Sequence, residues 1–190
     1  MECFNLDKIK SEMDAFDEKR EEFIAKSRSI LRNAKKAIYD IHRNNLDEAS
    51  VSLEKLERQI NLINDAVRKD SGLLKVGSIS VACQEYAEAL CFLHFVKTGN
   101  ILEKPSEISS EDYLLGLCDL TGELARRAVF MATEMKSEEV RKIRNIIDTI
   151  LKEFLKFDFR NSELRKKSDS IKWNLNKVEE ILYELKLRLS

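Results

Sequence analysis

Leu74-Lys75-Val76-Gly77-Ser78-Ile79-Ser80-Val81-Ala82-Cys83-Gln84-Glu85-Tyr86-Ala87-Glu88-Ala89-Leu90-Cys91-Phe92-Leu93-His94-Phe95-Val96-Lys97-Thr98 reads as a helix that is apolar on nearly every face. Such a helix has no broad solvent side and belongs at the centre of a helical fold. Two acids interrupt it. Glu85 and Glu88 are three residues apart, so they share a face, and that face runs from Val81 to Phe92 and Phe95. An ionised carboxylate buried without a partner costs several kcal/mol. Two of them about 5.5 Å apart repel by roughly 3 kcal/mol at an effective dielectric near 20. The stretch therefore predicts both a central element and a need for a compensating cation.

Outward from this element the chain reads as helix after helix. Apolar residues Phe16, Phe23, Ile24, Leu31, Ala34, Ile38 and Ile41, with Ser27 the one polar member of the stripe, predict a first helix over about 6–43. Asn44-Asn45 breaks it, and Leu53, Leu56, Ile60, Ile63 and Val67 mark a second over about 46–69. Ser71-Gly72 is a turn, and 99–109, holding the single proline, is the longest loop. Ser109 with Glu111 and Asp112 caps a fourth helix to about Met135. Ser137-Glu138-Glu139 caps a fifth to about Phe154, and Asn161-Ser162 opens the last, to about Leu189. The expectation is an all-α, elongated antiparallel bundle of about six to seven helices, one domain over 1–190. A first helix of roughly 57 Å at ~1.5 Å per residue overshoots a compact globule of this length, near 40 Å across, which predicts self-association.

Composition agrees with this reading. The 190 residues are 43% apolar, enough for a core and against wholesale disorder. Five glycines and one proline are too few to punctuate a many-stranded sheet. A net charge of −1 excludes a globally basic binder, and two histidines argue against a His-ligated zinc site. Cys3, Cys83, Cys91 and Cys118 have no Cys-x-x-Cys spacing. They predict reduced, structural thiols in a cytoplasmic protein. Residues 1–10 lack the apolar run of a signal peptide, and no stretch has the ~18 apolar residues of a membrane span.

The fourth helix carries a second acidic pair. Asp119 and Glu123, four apart, lie opposite Leu117, Leu120 and Leu124, with Gly116 on roughly their own face and Arg126 and Arg127 beyond. A mid-helix glycine costs about 1 kcal/mol against alanine and is explained by a close approach of another backbone. If the third and fourth helices pack together, four carboxylates converge. Two readings follow: an all-oxygen site for Mg²⁺ or Mn²⁺, or an internal ion network with arginines such as Arg126. A di-iron bundle is disfavoured, because it needs Glu-x-x-His where this chain has Glu85-x-x-Glu88. No Gly-rich phosphate loop and no nucleophile–histidine pairing can be built. His94 reads as a core or interface histidine. Arg28, Arg32, Lys35, Lys36 and Arg43, interrupted by Tyr39, form a basic stripe on the first helix, and Arg165-Lys166-Lys167 opens the last. These fit either a solvated surface or a phosphate track with Tyr39 or Trp173 to stack on a base.

The runs Gln84-Glu85-Tyr86-Ala87-Glu88-Ala89, His94-Phe95-Val96-Lys97-Thr98 and Asp112-Tyr113-Leu114-Leu115-Gly116-Leu117-Cys118-Asp119-Leu120-Thr121-Gly122-Glu123-Leu124 resemble central motifs of translin-associated factor X. Asn161 to Lys167 and Lys177 to Leu185 resemble the last helix of translin, and Arg20-Glu21-Glu22 with the basic first helix also fits. The resemblance to the translin and factor X family covers about residues 14–188. It implies a helical bundle assembled into a hollow octamer with RNA inside. It also implies that the factor-X type is a Mg²⁺-dependent endoribonuclease on single-stranded RNA, while translin binds nucleic acid without those acids. By that resemblance Glu85, Glu88 and Asp119 are catalytic metal ligands, with Glu123 a fourth ligand or supporting base. Arg20, Arg28, Arg32, Lys35, Lys36, Arg126, Arg127 and Arg165 would guide the strand through phosphate contacts. The translin-like last helix departs from the factor-X pattern and suggests one homo-oligomeric subunit in both roles. The alternative is a non-catalytic assembly binding single-stranded RNA or DNA.

Overall fold

The computed structural model describes residues 5–160 and 163–189. Among these there are six α-helices, a short 3₁₀ turn and no strand. They are α1 (Asp7–His42), α2 (Leu46–Lys69), α3 (Gly77–Thr98), α4 (Ser110–Thr133), α5 (Ser137–Phe154) and α6 (Glu163–Leu189). Asn161-Ser162, expected to open α6, and Cys3 lie outside the described residues. No helix among the described residues is long and apolar enough to cross a membrane.

Helix ends follow local chemistry. Asn44 stops α1 by taking a left-handed conformation (φ 64°), which its short amide side chain tolerates. Gly99 ends α3 in the same way (φ 78°), its N–H donating to the Phe95 carbonyl at 2.7 Å. Ser109 Oγ accepts the Asp112 N–H at 3.0 Å, the cap its sequence predicts. Two expected boundaries differ. Residues 74 and 75 are not in α3: the Asp70 carboxylate accepts the Gly72 N–H and tightens Ser71–Lys75 into a 3₁₀ turn, and Val76 (φ −83°, ψ 88°) separates that turn from α3. Ser137 does not cap α5 but is its first residue, after Lys136.

α1 lies on α2 and α3, α3 on α4, and α4 on both α5 and α6, which also pack together. The pair α3–α4 is thus enclosed by the outer helices, as the all-round apolar character of 81–96 requires. Tyr86, Phe92, Leu120 and Leu124 are fully buried there. Ser27, the polar member of the α1 stripe, is buried and donates to the Phe23 carbonyl at 2.7 Å. Toward its N-terminus α1 leaves the bundle. Phe16 packs near Gly72 and Lys19 reaches Asp70 at 3.5 Å, but residues 7–15 continue beyond that point. Leu6, Ile9 and Met13, spaced 3 and 4 apart, are all more than half exposed there.

Candidate active site

The acids converge because two backbones nearly touch. A Cβ on Gly116 would stand 2.8 Å from the Gln84 carbonyl oxygen, 3.0 Å from Ala87 Cβ and 3.1 Å from the Glu88 nitrogen. That contact brings the Glu85–Glu88 turn of α3 against the turn of α4 that carries Asp119 and Glu123. Val81 is exposed while Phe92 is fully buried, so the acids sit where this face of α3 passes from solvent into the core.

Each acid has its own electrostatic state. Glu88 is only 6% exposed, and among the described residues no cation or hydrogen-bond donor sits on its carboxyl. Burial, and then the negative charges of Glu85, Asp119 and Glu123, push its pKa up to about 9 against the smaller pull of Lys167. Glu85 is also raised by burial, although Lys35 Nζ lies 3.4 Å from its Oε1. Asp119 accepts a hydrogen bond from Lys167 Nζ at 2.6 Å. Glu123 pairs with His42 Nε2 at 2.5 Å and, more loosely, with Arg126 at 3.7 Å. The His42 hydrogen bond holds the Glu123 carboxyl below its ordinary range despite burial.

Lys167 is held from behind by a part-buried polar chain. Gln84 Nε2 donates to Ser80 Oγ at 3.0 Å and to Asp112 Oδ1 at 3.3 Å, which leaves Gln84 Oε1 facing Lys167 Nζ at 3.5 Å. Burial lowers the Lys167 pKa, but the hydrogen bond and charge of Asp119 outweigh it, and the net shift is upward. One turn-pair further along α6, Asn174 Nδ2 donates to the buried Thr121 Oγ1 at 2.8 Å and pins α6 in register on α4.

The basic residues divide into two groups. Arg28, Arg32, Lys35, Tyr39 and His42 recur at helical spacing on one face of α1, and two members of that face, Lys35 and His42, end on the acids. Arg126 also reaches Glu123. Arg20 lies further up α1, exposed and beside Glu21 at 3.7 Å, and Lys36 is exposed one position round from Lys35. Arg127 is not with the acids. It turns to the α4–α5 side, where burial lowers its pKa against the opposing charges of Glu139 and Glu134. Arg165 is not there either: it donates to the Phe159 carbonyl at 3.2 Å and lines a hollow of about 640 Å³ with Phe157 and Trp173. Adjacent positions on a helix point about 100° apart, which is why Arg126 and Arg127 part company.

Sequence reasoning missed His42, Lys167 and Gln84 as members of the site. His42 follows Ile38 at i+4 and so extends the inward stripe of α1, a signal that was there to use. Lys167 was visible only as one of three successive basic residues. The three buried cysteines Cys83, Cys91 and Cys118 are unpaired, and burial pushes each thiol up to about 12, as structural thiols require.

As they stand, no three His, Cys, Asp or Glu side chains among the described residues are arranged to hold a metal ion. The reason is local: Glu85, Asp119 and Glu123 are each turned onto a lysine or histidine. The donors nevertheless suit a hard divalent cation in kind, being all carboxylate oxygen, and Glu88 has no cation paired directly with it, only the weaker pull of Lys167.

The family model described as "Translin family" matches residues 18–189. A translin-associated protein X homolog of Schizosaccharomyces pombe is 27% identical over 194 residues, covering 90% of this chain and 82% of that protein. Human translin is 34% identical over 86 residues, 45% of this chain and 38% of that protein. Two solved structures have the same fold. One is described as apo-NeC3PO, with TM-score 0.87, 24% identity and coverage of 97% of this chain and 99% of that chain. The other is described as an AfC3PO–duplex RNA complex, with TM-score 0.88, 22% identity and coverage of 97% and 98%.

Proposed function

The chain belongs to the translin family, and from that premise we propose that it is a subunit of an RNA-binding homo-oligomer, an octamer, that cleaves single-stranded RNA in the cytoplasm with Mg²⁺ or Mn²⁺. Glu85, Glu88 and Asp119 would hold the ion, with Glu123 as a further ligand or as the base that orients water. A divalent ion bound there supplies a Lewis acid for a phosphodiester oxygen and a water of lowered pKa. The protein's own part is to position and to neutralise. Arg28, Arg32 and Lys35 lead a phosphate backbone along α1 toward the acids, with Tyr39 on the same face to stack a base. His42 fixes the Glu123 carboxylate from the far side.

One observation carries this reading. Glu88 is a buried carboxyl with three acidic neighbours and no cation of its own, an arrangement that costs stability unless a proton or an ion is supplied. A relative named as a translin-associated protein X homolog matches over most of this chain's length, and the acids Glu85, Glu88 and Asp119 are the ones that the resemblance to the factor-X type marks for catalysis. The test is cleavage of single-stranded and duplex RNA with Mg²⁺ by the wild type and by Glu88→Ala. Loss of cleavage by at least about 100-fold in the variant is expected for an ion-holding acid. Equal rates in both would remove the site assignment.

The ion pairs at Glu85, Asp119 and Glu123 favour a second reading, a non-catalytic assembly binding single-stranded RNA or DNA, in which the acids form an internal network. That reading expects salt-sensitive strand binding that is unchanged by chelator and by the Glu88 substitution.

A further inference from the structure

Two lysines reach the acids from opposite sides. Lys35 comes from α1 to Glu85, and Lys167 comes from α6 to Asp119. An ammonium group and a divalent cation compete for the same carboxylate lone pairs, since each satisfies them by charge and short contact. The two lysines differ in how they are held. Lys35 is well exposed and touches one acceptor, whereas Lys167 is about two-thirds covered and has two. Its second acceptor, Gln84 Oε1, belongs to a buried side chain whose amide is already oriented by Ser80 and Asp112. The helix that bears Lys167 is fixed in register by the Asn174–Thr121 hydrogen bond. Lys167 therefore keeps a seat on Gln84 even when Asp119 is engaged elsewhere. Seated there it carries N–H groups with no protein acceptor, beside the place where a phosphate would arrive.

We propose that Lys167, assisted by Lys35, stands in for the divalent cation while the site is empty and becomes a ligand of the RNA phosphate once the cation displaces it from Asp119. The proposal rests on the metal-dependent reading above and adds a coupling to it. Ion binding releases a lysine for the strand, and a bound strand holds that lysine away from the carboxylate. Metal and RNA then bind with positive cooperativity, each raising the affinity of the other by the same factor.

The experiment measures Mn²⁺ binding by calorimetry and by the electron paramagnetic resonance of the free ion. The full chain is used as wild type, Lys167→Met and Lys167→Arg, with and without a 2′-O-methyl oligouridylate that resists hydrolysis. Without the oligonucleotide, Lys167→Met binds Mn²⁺ about tenfold more tightly than the wild type, a factor worth about 1.4 kcal/mol. Lys167→Arg, which keeps the charge, shows no such gain. Adding the oligonucleotide tightens Mn²⁺ binding in the wild type and leaves Lys167→Met unchanged. Equal Mn²⁺ affinity in wild type and Lys167→Met, with the same response to oligonucleotide, overturns the proposal and leaves the metal site standing. Absence of Mn²⁺ binding in all three proteins overturns both and leaves the lysines as a fixed ion network. Should Lys167→Met lose its helical circular dichroism, Lys35→Met reads the same competition from the exposed side, with a smaller gain.

Discussion

Glu88 sets the chemistry of the site because its carboxyl cannot ionise cheaply. In an unfolded chain it titrates near 4.5, and in the fold its pKa is about 9. The folded state thus holds a proton that the unfolded state gives up. The associated stability is fully present below about pH 4.5 and is lost as pH rises through about 9. Glu88→Gln keeps the shape and removes the charge, and the neighbouring carboxylates can accept from its amide. Its expected effect in metal-free protein is a gain of about 2 kcal/mol at pH 8 and a flatter melting temperature between pH 6 and 9. Thermal melts of both proteins across that range check it. A wild-type melting temperature that rises toward pH 9 would contradict the electrostatics. At this scale the sequence disclosed the acids, since carboxylates three and four apart on helices with apolar faces stand out against their surroundings. It hid their partners. His42 and Glu123 are 81 positions apart, and Lys167 and Asp119 are 48 apart, separations over which no periodicity carries information.

The helices were legible for the opposite reason, because their signals are local. Apolar spacing located all six, and single residues such as Asn44, Gly99 and Ser109 ended or opened them where steric and capping chemistry demands. The start of α3 was misread because Leu73 and Leu74 continue an apolar pattern while the hydrogen bond from Gly72 to Asp70, a turn device, decides the backbone. Gly116 is the residue through which one element governs another. Alanine there gains about 1 kcal/mol of helix propensity, but its methyl meets the Gln84 carbonyl at 2.8 Å, and that neighbour is backbone. Overpacking of this kind costs about 1–3 kcal/mol or more and exceeds the gain. Gly116→Ala should therefore lower the unfolding free energy by about 1–2 kcal/mol, read as a lower urea midpoint, and spread α3 from α4. Strand binding through the α1 face should survive while Mn²⁺ affinity falls. Urea titration together with Mn²⁺ calorimetry separates the two effects.

At the scale of the molecule, the sequence foresaw that α1 is longer than the body it packs on, and the structure adds which end is left over. The C-terminal end of α1 is committed to the site through Lys35 and His42. The N-terminal end stands clear with Leu6, Ile9 and Met13 in the open. Residues 7–15 of α1 amount to about 14 Å of rod at ~1.5 Å per residue. Continuous with the packed part of α1 but without tertiary contacts of its own, such an end is held by backbone hydrogen bonds alone and frays. In a dilute solution of lone protomers its amide hydrogens should trade with deuterium within seconds, far ahead of those around Tyr86. As the concentration rises they should slow by orders of magnitude once a second molecule clamps the tip. The projecting end would then act as a built-in reporter of company: silent on the acids at the far end of the same helix, yet telling, amide by amide, whether the protomer is alone.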